Sequence, residues 1–355
     1  MTDSAMEFDT GWRAIIESRA HSCNRHFDRG GEIFLDKDKS YALNIPPKCD
    51  IFDAMSKTAI HIDPTFIRKK ISPADWRSQA EQHEERISEL IDDYLVRRQQ
   101  QEKDPVIDFL FEYYTFRPSH LKRWSPGFGR LLVGEDFEQL EISELEVTRD
   151  GAFLNPDLFP ENRKSAVQWI LTVLQNSAGN KPSFGCFGMH EWAMVYKADR
   201  IRHDQVPLRM SEEELAEFVE SRPLVCTHFD AFRFFTDEAQ PMNKHEPARD
   251  NFQEMEQPGC IHTNMDLYKW AFKMYPWIGS DLIREAFELA MEARFIDMKA
   301  SPYDLRERGL EPIKIETEEG RLEYVKKQQA IFEKGQPVRD KLIKEYQQLS
   351  DYFDC

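Results

Sequence analysis

Several common catalytic signatures are missing from this 355-residue chain. It has no glycine-rich phosphate loop, no G-x-S-x-G elbow and no H-E-x-x-H helix. It also lacks the His-x-Glu with C-x-x-C of the zinc-dependent base deaminases. The obvious nucleotide-binding and protease templates therefore fail. The six cysteines, Cys23, Cys49, Cys186, Cys226, Cys260 and Cys355, are scattered, without the close pairs that a cysteine-rich structural zinc site uses. No apolar run nears the roughly 20 residues needed to cross a bilayer, so no membrane partner is expected. The opening "MTDSAMEFDTGWRAII" is acidic and polar rather than basic then apolar, unlike a secretory signal. Together these features predict reduced thiols and a cytoplasmic protein.

Positive charge is also in short supply. With 47 Lys and Arg against 64 Asp and Glu, the formal net charge is -17. Such a surface repels nucleic acid as a whole, so any DNA binding must rely on a local basic strip. Aromatic residues make up 12% of the chain, which argues against disorder, and the length suffices to bury a core.

The hydrophobic pattern predicts a mainly α fold: one helical body with a few short strands. Residues 1–70 show no clear period and read as an N-terminal extension, leaving 71–355 as the helical catalytic domain. From Ser72 the signal sharpens. Ser72 can cap, Pro73 suits the first turn, and Trp76, Ala80, His83, Ile87, Ile91 and Leu95 return at helical spacing. "DPVIDFLFEYYTF" reads as a second helix and "RKSAVQWILTVLQNSAG" as a third. "SEEELAEFVES" carries a capping box, Ser211 with Glu214. A further helix starts at Ser280 and stops before Pro302, and the terminal helix should be interrupted at Gly335 to Pro337. β-like runs occur at 145–154 and 311–317. Ahead of both, "RPSHLKRWSPGFGRLLVG" has loop composition and gathers Arg117, His120, Lys122, Arg123, Trp124 and Arg130, either a solvated turn or an anion-binding lid.

Three stretches crowd ligand-capable side chains: "GCFGMHEWAMVY" with His190 and Glu191, "VCTHFDAFRFF" with His228 and Asp230, and "GCIHTNMDLYKWAF" with His262, Asn264 and Asp266. On an extended segment residues two apart share a face; on a helix His262 and Asp266, four apart, would stack. Either geometry sets histidine beside carboxylate. That pairing suits a divalent metal, with His190, His228 and His262 as candidate ligands, or acid–base catalysis. It also suits a simple core, because cysteine is commonly buried and Trp192, Phe229, Tyr268 and Trp270 at helical spacing commonly pack. "ARFIDMKASPYDL" adds Arg294 and Asp297, which read first as a structural ion pair.

These three stretches together with "DMKASPYDL" resemble a family of bacterial cytosolic proteins labelled 3-methyladenine DNA glycosylase, from about Ser72 to "IETEEGRLEYV". The resemblance implies a DNA-repair hydrolase that breaks an N-glycosidic bond, with damaged DNA or a nucleobase-like small molecule as partner. That reaction needs a pocket of aromatic faces, a carboxylate and a water, because the methylated base is already cationic. Fitted to it, Glu191, Asp230 and Asp266, with His190, His228 and His262, would form the catalytic set. Trp192, Tyr268 and Trp270 would stack on the base beside Asn264. Arg117, His120, Arg123 and Trp124 would hold the substrate, with Lys122 on phosphate. A metal-dependent or acid–base enzyme on a small molecule, and a non-catalytic binding protein, are the competing expectations.

Overall fold

The computed structural model describes residues 66–354 apart from 202 and 204, so the expected N-terminal extension up to residue 65 lies outside the described residues. The elements run β1 (Lys69–Ile71), α1 (Pro73–Gln99), a π-helical turn (Phe109–Tyr113), α2 (Pro118–Leu121), β2 (Arg130–Leu132), β3 (Leu145–Thr148) and β4 (Gly151–Leu154). The helices α3 (Lys164–Gly179), α4 (Met189–Val195), α5 (Glu212–Glu220), α6 (Phe229–Phe232), α7 (Phe252–Met255), α8 (Ile261–Lys273), α9 (Ser280–Ala300) and α10 (Glu318–Phe353) follow. The protein is mainly α, with one small sheet of order β1-β2-β4-β3.

Local signals start these helices where the sequence placed them. Ser72 accepts the Asp75 N–H at 3.2 Å, and Trp76, His83, Ile87, Ile91 and Tyr94 form the buried face of α1. Ser211 and Glu214 cap α5 reciprocally. In the sheet β1 runs parallel to β2, with Ile71 opposite Leu132, and the β3–β4 hairpin sets Leu145 opposite Leu154. Phe66 is buried against Phe128 and Phe153, so it and β1 belong to the body although they fall within the span 1–70.

Three local expectations change. "DPVIDFLFEYYTF" forms only the π-helical turn: Asp104 accepts the Val106 and Ile107 N–H groups, and Asp108 accepts that of Asp104. Those side-chain bonds compete with a regular helix start. Residues 311–317 alternate in burial, with Ile313 and Ile315 inward, yet form no strand; Ile313 N–H bonds to Lys299 of the α9 C-terminus instead. The loop at 117–134 contains α2 and β2.

The terminal helix does not break at Gly335 to Pro337. α10 runs through Pro337 because it packs along α3, α8 and α9, and that burial outweighs the hydrogen bond proline cannot make. Gly335 marks the closest approach. A Cβ there would lie 2.1 Å from Asn264 Oδ1, and Asn264 is held by donating to the Pro258 and Cys260 carbonyls and accepting from Arg339. The clash from Gly335→Ala should cost about 1–3 kcal/mol, outweighing the ~1 kcal/mol that helix propensity returns. A lower urea midpoint is expected; a higher one would show that Asn264 can move aside.

Candidate active site

Helix α8 is enclosed on all sides, and between Ile261 and Phe272 only Lys269 keeps partial exposure. A helix so placed is ordinarily apolar all round. This one carries His262, Thr263, Asn264 and Asp266, so their polar atoms need partners in the interior. Thr263 donates to the Glu256 carboxylate, which follows α7. Asp266, one turn beyond His262 on the same face, accepts the Tyr114 hydroxyl at 2.8 Å and the Lys269 ammonium. His228 Nε2 approaches Asp266 Oδ2 at 3.4 Å and Glu256 Oε1 at 3.8 Å. The other nitrogen, Nδ1, accepts the Ala231 N–H at 3.2 Å, so His228 is also the N-cap of α6.

Helices α4 and α9 complete the cluster. Gly188, at φ +75°, turns the chain into α4, and a Cβ there would press on Ala300 and Tyr324 at 3.2 Å. The turn delivers His190 and Glu191 to the interior. On α9, Arg294 and Asp297 stand one turn apart. Arg294 Nη1 donates to Glu191 Oε1 at 2.9 Å and to Asp297 Oδ2 at 2.6 Å, while Nη2 donates to the Pro105 carbonyl. His190 Nε2 lies 2.7 Å from Asp297 Oδ1, but neither atom has an aligned hydrogen-bond partner, so the contact is ionic. The His262 ring meets His190 edge-on at 4.2 Å between centroids and lies 5.2 Å from His228. The three imidazoles therefore occupy one place.

Burial and charge divide these groups into fixed states. Burial resists charge on His190, but Asp297 outweighs it and pushes the ring up to about 10. Burial likewise resists charge on Asp297, and His190, His262 and Arg294 hold it well below the usual carboxylate range. His262 goes the other way: burial, then the charge of His190, drive it well below the ordinary histidine value. Asp266, despite burial, is held low by Lys269 and His228, and Asp230 by Lys269. Burial raises Glu256. For His228 burial is outweighed by Glu256 and Asp266, which favour the imidazolium. The Ala231 N–H pointing at Nδ1 opposes that, since only an unprotonated nitrogen can accept it.

Two cavities meet at His262. One, a cleft of about 430 Å³ counting the space at its open mouth, has walls of Phe109, Tyr113, Tyr114 and Phe234 and a polar lining that includes Glu191, His228, Asp230, Asp266 and Arg294. The other, about 350 Å³ on the same measure, includes His190, Cys186, Cys226, Cys260 and Tyr324. No family model matches the chain, and no curated protein or solved structure matches it either. The candidate site thus rests on its own geometry.

Of the candidates drawn from sequence, Glu191, Asp230, Asp266, His190, His228 and His262 all line one cavity or the other. The substrate-binding candidates do not. Arg117, His120, Arg123 and Trp124 line neither cavity; Lys122 pairs with Asp92 on α1, Arg123 approaches Glu141 at 3.6 Å, and Trp124 is buried with Ile71, Trp76 and Leu132. Trp192 donates to the Ala300 carbonyl and packs on Phe218. Tyr268 is sealed among Tyr114, Phe116 and Phe287, Trp270 packs on Trp169, and Asn264 is a structural link to Arg339. The aromatic walls come instead from Phe109, Tyr113 and Tyr114, in a stretch whose helical pattern concealed them, and from Phe234. Lys269 and Glu256 were also missed. Lys269, three residues after Asp266, was within reach of spacing rules; the isolated Glu256 was not.

Removing one member of a buried ion network strands the others. Arg294→Met leaves Glu191 and Asp297 facing each other without their cation and is expected to cost about 3–5 kcal/mol. Pairing it with Glu191→Gln should recover part of that loss in urea titrations. Additive losses would show that the guanidinium is not shared.

Proposed function

We propose that this protein is an enzyme acting on a small, flat, positively charged organic substrate held in the aromatic cleft. The reaction suited to the arrangement is hydrolysis of the N-glycosidic bond of a methylated nucleobase. The observation that supports this reading is the meeting of aromatic faces with ionised carboxylates in one narrow cleft. Tyrosine and phenylalanine faces attract a flat cation, and so do carboxylates.

The carboxylates also suggest the mechanism. Asp230 and Asp266 are held below the usual range by Lys269, so near neutral pH they have no proton to give. What they can do is stabilise positive charge that develops during reaction. Departure of a base that is already cationic leaves such a charge on the sugar and needs no proton on the leaving group. Asp230, the less buried of the two at 23% side-chain exposure, would meet the substrate at the mouth, and Asp266 would face the reacting carbon. Folding alone does not call for this arrangement, because apolar residues of similar volume commonly replace buried ion pairs without loss of stability.

The charge pattern around the cleft favours a small substrate over a duplex. The basic loop residues that DNA phosphates would need are paired with acidic neighbours or lie outside the lining. The test is to incubate the protein with methylated adenine nucleosides and, separately, with methylated DNA, and to quantify free base by chromatography. Release from nucleosides supports the reading, and release from DNA alone would make the protein a DNA glycosylase. No release from either removes the N-glycosidic reading. Asp230→Asn is expected to raise KM for the nucleoside about tenfold while the far-ultraviolet circular dichroism stays unchanged.

A further inference from the structure

We infer that His190, His262 and Asp297 form a binding site for one divalent transition-metal ion of the zinc, manganese and iron(II) class. Each residue comes from a different helix: His190 and His262 from the first turns of α4 and α8, Asp297 from near the end of α9. One ligand atom from each lies within 4.8 Å of the other two, near enough that small side-chain adjustments would bring all three to about 2.0–2.2 Å from a shared ion. All three side chains are at least nine-tenths buried, at 1%, 9% and 0% exposure.

The polar atoms are under-used as the protein stands. His190 Nε2 and Asp297 Oδ1 come within 2.7 Å without aligning as donor and acceptor, and neither has another hydrogen-bond partner. His262 Nε2 lies 3.9 Å from the other oxygen of the same carboxylate, Asp297 Oδ2, and its ring nitrogens have no hydrogen bond among the described residues. Buried polar atoms almost always find hydrogen-bond partners, and two that lack them, His190 Nε2 and Asp297 Oδ1, stand beside a second imidazole, an arrangement that a shared cation would satisfy. Two imidazoles with one carboxylate form the donor set of catalytic zinc and non-haem iron sites, which leave coordination positions open. Here His262 lines both cavities and His190 lines one of them.

Neighbouring groups support the ligands. Asp297 Oδ2 is fixed by Arg294, whose charge Glu191 shares, which leaves Oδ1 directed at His190. The Cys186 sulfur stands 4.0 Å from His190 Nδ1, orienting the ring from behind. His228 is excluded from the set, because its Nδ1 accepts from Ala231 and its Nε2 faces Asp266 and Glu256. The candidate trio of histidines thus becomes two histidines and the aspartate first read as an ion-pair partner.

The inference is independent of the reaction proposed above and is tested by a separate readout. The full chain, stripped with a chelator, is titrated with Zn²⁺, Mn²⁺ or anaerobic Fe²⁺ by calorimetry, and bound metal is quantified after gel filtration. About one equivalent per chain is expected for at least one ion. His262→Ala and Asp297→Asn should each weaken binding at least tenfold, and Asp230→Asn should leave it unchanged. His262→Ala breaks no hydrogen bond, so it stays informative even if the aspartate variant fails to fold. With Co²⁺, the wild type should show visible absorption that His262→Ala lacks. Failure to retain any ion, or equal affinity in the wild type and the His262→Ala variant, overturns the site whatever the outcome of the base-release assay.

Discussion

The guanidinium of Arg294 lies wholly buried, where it donates to Glu191 and Asp297, carboxylates carried by two different helices. An isolated buried carboxylate would take up a proton, and an isolated guanidinium would be more costly still. Set between Glu191 and Asp297, the guanidinium donates to both and ties α4 to α9. His190 and His262 then face Asp297, not a neutral wall. The polarity of this half of the interior follows from that arrangement.

A second ion network lies one helical turn away. Lys269 joins Asp266 to Asp230, and Asp266 reaches Tyr114 and His228. Because α8 supplies His262 to the first network and Asp266 and Lys269 to the second, it is the common axis of both. The cleft that opens between them has aromatic walls, so a ligand entering it would leave water for a space with fixed charges at one end. The proposed chemistry and the proposed metal site draw on different halves of this interior, and either could exist without the other.

The fold was legible in sequence where one element carried its own signal. Ser72 with Pro73 and the Ser211 capping box are local events, decided by side chains within one turn of the backbone they cap. Legibility failed where packing overrode local preference: Pro337 sits inside a continuous helix, and 311–317 alternates in burial without pairing into a strand. In the site, the three histidine stretches were visible because they set histidine near carboxylate in short windows. The aromatic residues chosen with them lay beside those histidines in sequence but pointed into the core. The true walls, Phe109, Tyr113 and Tyr114, lie about 150 residues from Asp266 along the chain.

Composition and local spacing determined by themselves that this chain would be mainly helical, where most of its long helices begin, and that histidine and carboxylate would cluster. Those outcomes depend on backbone propensity, capping and periodicity, all of which act over a few residues. Only the tertiary structure decided that His262 meets His190 and Asp297 while His228 turns to Asp266. It also decided that Lys122 and Arg123 face Asp92 and Glu141 and do not line the cleft. Ionic partners are chosen by distance in space and by the loss of water around them, and neither quantity exists until the helices have packed.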